Sequence, residues 1–148
     1  MQLYHNSRDY NCRSSVGAQV CSSELSVRLF ASDNSLSVTL RTWYGQEKKY
    51  NMEHIGAGCY EASIKLPDEP CIFWYDFCIA TPDGKVIYYG NAHDGLGGEG
   101  ITYDHQPPSF QITVYDKDFS PPKFLRDGVM YQIFPDRFYR TQKPKSDR

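Results

Sequence analysis

The ten residues Cys71-Ile72-Phe73-Trp74-Tyr75-Asp76-Phe77-Cys78-Ile79-Ala80 decide the fold. Phe73, Tyr75, Phe77 and Ile79 form one alternating set, and Ile72, Trp74, Asp76 and Cys78 form the other. Successive side chains of a strand point to opposite faces, so this period of two reads as a long strand with an aromatic core face. Two successive large rings cannot share one core face, which puts Trp74 on the side away from it. Pro67-Asp68-Glu69-Pro70 closes the segment before this strand. Thr81-Pro82-Asp83-Gly84 follows it as a turn, in which proline fixes φ and glycine permits a positive one.

The same period extends outward from this strand. Leu25, Val27 and Leu29 alternate with polar neighbours, as do Leu36, Val38 and Leu40, with Asp33-Asn34 between them as a hairpin turn. Residues 48–54 read as a weaker strand ended by Gly56 and Gly58, and Tyr60, Ala62 and Ile64 as a further strand. Residues 86–89 are the return strand after the turn, and Phe110, Ile112 and Val114 mark the last one. No long helical period occurs. Roughly seven short strands at about ten-residue spacing predict an all-β domain, an immunoglobulin-like β-sandwich over residues 1–115.

Residues 116–124, with Pro121-Pro122, read as an extended and stiff linker. The apolar run at 129–134, broken only by Gln132, reads as a strand buried on both faces, as in a parallel sheet. Each parallel neighbour needs a crossover of about a dozen residues or more. Only ten residues follow Phe138. The expectation is a chain made of a complete N-terminal domain and, over 125–148, the opening of a second, larger one. Residues 128–138 should then lack partner strands, and be disordered or pair with another edge or another copy.

The balance of 16 basic and 18 acidic residues, net −2, leaves no basic stripe and no electrostatic footprint for nucleic acid. No apolar run is long enough for a membrane helix. The N-terminus lacks the basic start and apolar run of a secretory signal. The five cysteines form no CxxC pair, and the expectation is free thiols in the cytoplasm. The four histidines show no metal-ligand spacing, and neither a metal nor a cofactor is expected. The Gly-Leu-Gly-Gly-Glu-Gly run at 95–100 leads into no helix, so it reads as a tight loop at a domain interface rather than a phosphate cradle.

Arg-Asp-Gly-Val-Met-Tyr-Gln-Ile-Phe-Pro-Asp-Arg-Phe-Tyr-Arg, residues 126–140, resembles the first barrel strand of the α-amylase family, glycoside hydrolase family 13. The similarity is to the neopullulanase, cyclomaltodextrinase and α-amylase types that carry an N-terminal β-domain. Residues 88–100 are similar to the Tyr-Gly-Asn and Gly-Gly-x-Gly stretch near the end of that domain, and residues 107–127 resemble the strand and linker that follow. The resemblance implies that residues 125–148 hold the first strand of a truncated (β/α)8 barrel. It also implies a retaining parent enzyme that cleaves α-glucosidic bonds with a carboxylate nucleophile and a carboxylic acid. Those acids belong to later barrel strands, so no catalytic residue is expected here and the chain alone should be inactive. Asp136 and Arg137 would be structural. The basic stretch after Phe138 departs from the family's acidic calcium-binding loop, which argues against calcium there.

Two functions follow, and they differ in class. The first is a non-catalytic N-terminal domain of an intracellular α-glucan hydrolase, orienting the barrel or helping it to homodimerise. The alternative is a starch- or glycogen-binding module with its own affinity. Sugar binding of that kind stacks aromatic rings on the apolar faces of glucose while polar groups read the hydroxyls. The twelve tyrosines suit such a surface and suit a β-sandwich core equally well. Trp43, Trp74 and Tyr89 are the candidate carbohydrate-binding residues.

Overall fold

The computed structural model of the chain describes residues 1–134. They fall into two compact units, Met1–Lys117 and the described part of Asp118–Arg148. The first unit holds the strands β1 (Leu3–Tyr4), β2 (Gln19–Val20), β3 (Glu24–Ala31), β4 (Ser37–Tyr44), β5 (Gln46–Asn51) and β6 (Glu53–Gly56). After these come β7 (Cys59–Lys65), β8 (Cys71–Ala80), β9 (Val86–Gly90), β10 (Ile101–Tyr103) and β11 (Phe110–Tyr115).

Two sheets share one core. The smaller runs β1-β3-β7-β6 and is antiparallel throughout. The larger is organised on β8, the strand with the clearest alternation in the sequence. One edge of β8 pairs with β4 over most of its length, and β4 carries β5 beyond it. The other edge forks: residues 71–75 pair with β11, and residues 77–80 pair with β9, which carries β10. β2 adds to β11 in parallel. Asp76 is the residue at the fork, between the two ladders.

The core is built from the alternating sets. Leu25, Val27 and Leu29 of β3 and Tyr60 and Ile64 of β7 meet Leu40 of β4, with Phe73, Tyr75, Phe77 and Ile79 of β8 and Phe110 and Ile112 of β11. Each such large apolar side chain contributes roughly 1.5–3 kcal/mol when fully buried. Tyr75 and Phe110 stack at 5.2 Å between ring centroids. Gly100 sits where this core meets the β9 end. A Cβ there would come within 2.3 Å of the Gly90 carbonyl oxygen and 2.5 Å of the Tyr89 ring, so only glycine fits.

Sequence reading missed the centre of this core. His5 is fully buried, with its Nδ1 at 2.6 Å from the Arg28 carbonyl and its Nε2 at 3.0 Å from the Tyr75 hydroxyl. Those partners set the tautomer: Nδ1 donates to the carbonyl, and Nε2 accepts from the hydroxyl. Burial holds the ring neutral and pulls its pKa down to about 4.

In the second unit, Lys123–Arg126 forms one helical turn, α1, so the expected extended linker ends before it. Residues 129–134, read as the opening strand of a second domain and expected to lack partner strands here, form no strand. These residues pair with nothing in the described structure, and Val129 is 91% exposed. An apolar run becomes a strand only where a ladder partner takes its backbone groups. Asp136 and Arg137, and the basic stretch after Phe138, lie outside the described residues.

Candidate functional site

The outer face of the larger sheet holds two of the three candidate residues, Trp43 and Trp74. Its side chains are the second alternating set of each strand. On β8 these are Ile72, Trp74, Asp76 and Cys78, and on β4 Thr39, Arg41 and Trp43. Register joins them: Trp43 lies directly opposite Trp74, and Arg41 directly opposite Asp76. Trp43 faces Glu47 of β5 on its other side, and Trp74 faces Gln111 of β11. Glu47, Trp43, Trp74 and Gln111 therefore form one row across four strands, about 14 Å long at the usual inter-strand spacing.

Beside this row lies a buried ion pair. Arg41 Nε is 2.8 Å from Asp76 Oδ1, and Ser109 Oγ donates to Asp76 Oδ2 at 3.2 Å. The Arg41 guanidinium is sandwiched, with its carbon 4.9 Å from the Trp43 ring centre and 4.7 Å from that of Tyr88. Cation–π contacts of this kind are worth roughly 0.5–2 kcal/mol. Glu47 stands 3.8 Å from Arg41 Nη1, while Nη2 is buried with no acceptor. Burial pushes the Asp76 carboxyl up to about 6, against the pull of Arg41. The pair locks the rings of Trp43 and Tyr88 in place.

The three sequence candidates separate here. Trp43 and Trp74 come together as a direct cross-strand pair, and Trp74 is 39% exposed. Tyr89 does not join them. It pairs with Phe77, shares that residue's core face and is 2% exposed. Its hydroxyl donates to the Gly100 carbonyl at 2.7 Å and accepts the His5 N–H at 3.2 Å, and burial raises its pKa to about 12. Tyr89 is a core residue, and its neighbour Tyr88 takes the place on the outer face. Sequence reasoning also missed Arg41 and Asp76. The available signal was Asp76 itself, a charge in the middle of the most apolar strand.

Tyr44 takes the opposite side of β4 from Trp43. There it borders a hollow of about 500 Å³ with Tyr50 and Phe73, and its hydroxyl is tied to Glu69.

The outer face can stack and hydrogen-bond. The Trp43 indole N–H and the Tyr88 hydroxyl bond to no described residue. The face is poorly suited to cleaving glycosidic bonds, which takes two carboxyl groups flanking one bond. Asp76 is fully buried and engaged by Arg41. Among the described residues no cluster of His, Cys, Asp or Glu could hold a metal ion, and no helix is long and apolar enough to cross a membrane.

No family model matches the chain. It is similar, in alignments 147 positions long that cover 93% of its length, to three curated proteins named amylopullulanase. The identity is 37% to that of Thermoanaerobacterium thermosulfurigenes, 35% to that of Thermoanaerobacter thermohydrosulfuricus and 38% to that of Thermoanaerobacterium saccharolyticum. The chain spans 8%, 10% and 11% of the lengths of these relatives.

Proposed function

We propose that this chain is a non-catalytic β-domain of a larger α-amylase-family glycoside hydrolase that acts on α-glucans, with residues 125–148 beginning its catalytic barrel. The observation that carries this reading is the similarity to amylopullulanases along nearly the whole chain. The 126–140 stretch supports it independently, by its resemblance to a first barrel strand. The strand orders β1-β3-β7-β6 and β5-β4-β8 support the immunoglobulin-like label, since they follow the ABED and C′CF neighbourhoods of that fold. The domain orients the barrel or brings two copies together. Five free cysteines favour a reducing compartment for the parent. The reading is tested by incubating the purified chain with starch and with pullulan and measuring new reducing ends. None are expected, and saturable release of sugar would overturn it.

The Trp43–Trp74 pair favours a second role on the same domain, contact with the glucan itself. Two indoles side by side, with Glu47 and Gln111 at the ends of the row, match the stacking-plus-hydroxyl chemistry of sugar recognition. Affinity electrophoresis in amylopectin tests it. Retarded migration is expected, and unretarded migration at high polysaccharide concentration would remove this role while leaving the first reading intact.

A further inference from the structure

Arg13 is a buried cation without an anion. It is 2% exposed, and no carboxylate pairs with it in the described structure. Its Nη1 and Nη2 reach the carbonyls of Ser7 and Gly17 at 3.3 and 3.4 Å, the guanidinium also interacts with the buried Tyr75 hydroxyl, and its Nε is buried with no hydrogen-bond partner. Charge-assisted hydrogen bonds are normally about 2.7–2.9 Å, so these carbonyls are weak substitutes for a negative charge. Removing an ion from water without a partner is costly, and such groups are ordinarily paired.

The same side chain lines a cleft of about 340 Å³. Its walls include Ser7, Arg8, Asn91, Gly97 and Gln111, and no acidic residue is among them. Asn91 is buried and accepts the Gly97 N–H at 3.0 Å through Oδ1, so its NH₂ group is left without an acceptor. Arg8 is held over the glycine loop by the Leu96 carbonyl at 2.5 Å. The acids adjacent in sequence, Asp9 and Asp94, keep their charge but direct it to neutral donors rather than to Arg13 or Arg8. Asp9 accepts the Tyr4 hydroxyl, and Asp94 accepts the Leu96 N–H. Bonds from Ser7 N to the Gly98 carbonyl and from Gly98 N to Ser7 Oγ tie the two walls together.

We propose that this cleft is an oxyanion site, in which Arg13, Arg8 and the Asn91 amide take the oxygens of a phosphate or carboxylate group. Two arginine forks and an amide donor, with no acid between them, are the recognition chemistry of such a group. Gln111 borders the cleft and is also the cross-strand neighbour of Trp74. The group therefore arrives either as a free anion or as an ester on a sugar.

The test uses the full ¹⁵N-labelled chain titrated with inorganic phosphate at constant ionic strength. Saturable amide shifts at Asn91 and Gly97 are expected, with a matching rise in Tm. Arg8→Gln should weaken the binding about tenfold, and Arg13→Met should abolish it. Glucose 6-phosphate against glucose separates the sources: tighter binding than phosphate alone marks an ester, and equal binding marks a free anion. No saturable shift with either anion, or an affinity unchanged in Arg8→Gln, would overturn the proposal. If Arg13→Met does not fold, the wild-type titration and Arg8→Gln decide it.

Discussion

Arg41 and Asp76 face each other across the β4–β8 register and are joined at 2.8 Å, with the Arg41 guanidinium between the rings of Trp43 and Tyr88. The pair sits where the second edge of β8 passes from β11 to β9. It thus couples the electrostatics of the outer face to the aromatic surface above it.

Removing the carboxylate should be felt in stability first. Asp76→Asn leaves the Arg41 charge buried with only Glu47, 3.8 Å away, to balance it. Breaking a buried pair from one side costs about 3 kcal/mol. Burial already disfavours the charged Asp76, so removing that charge offsets part of the cost and a loss smaller than this is expected. A urea denaturation series should show that loss, and a midpoint within error of wild type would mean that the pair is solvated in solution.

The two buried titrating groups pull stability in opposite directions with pH. Burial lowers the folded pKa of His5 from 6.5 to about 4, so the unfolded state binds more protons between those values. His5 contributes full stability above pH 6.5 and loses it as pH falls toward 4. Burial raises the folded pKa of Asp76 from 3.8 to about 6, so the folded state binds more protons there and Asp76 favours the fold as pH falls. The wild-type profile between pH 4 and 6 should be nearly flat. In Asp76→Asn only the His5 slope remains, and stability should drop by about 3 kcal/mol between pH 7 and 4. Urea midpoints at five pH values would check this, and parallel profiles for the two proteins would contradict it.

Asp76 protonation should also be visible optically. As the carboxyl titrates near pH 6, Arg41 loses its anchor and moves relative to the Trp43 ring. Tryptophan fluorescence should therefore titrate near that pH, and the transition should vanish in Asp76→Asn. A transition that survives the substitution would assign it to another group.

Trp74→Ala separates binding from folding. The ring is 39% exposed, so stability should change by less than about 1 kcal/mol. Amylopectin affinity should fall about fivefold, since stacking of this kind accounts for roughly 1 kcal/mol beyond buried area. Gel mobility of the variant against wild type measures it, and equal retardation would take Trp74 out of the binding face.

Gly100→Ala tests the packing at the β9 end. The new methyl would meet the Gly90 carbonyl, the Tyr89 ring and the Phe110 ring at 2.3, 2.5 and 2.7 Å. Backbone and core rings give way poorly, so a loss of about 3 kcal/mol or more is expected in thermal or urea unfolding.

Much of the fold was legible because parity is local. Phe73, Tyr75, Phe77 and Ile79 announce one face of β8, and the structure buries all four. Where parity was ambiguous, reading stopped. Tyr88 and Tyr89 are identical in type, and nothing local says which one faces the core. The first twenty-odd residues gave no periodic signal either. β1 and β2 are two residues each, His5 is placed by Arg28 and Tyr75, distant in sequence, and Arg13 is held beside β3 by a bridge to Val27.

The sequence by itself determined that the first unit is all-β, which strand lies at its centre, and that Trp74 cannot face the core. Each of these rests on a period of two within a few neighbouring residues. Tertiary structure decided the rest. Register set Trp43 against Trp74 and Arg41 against Asp76, and it turned Tyr89 inward by pairing it with Phe77. A shift of one residue would reverse every one of those assignments. Arg13 became a buried charge only when strands far away in the chain closed over it. No local pattern carries that information, because burial is a property of what the rest of the chain brings to a residue.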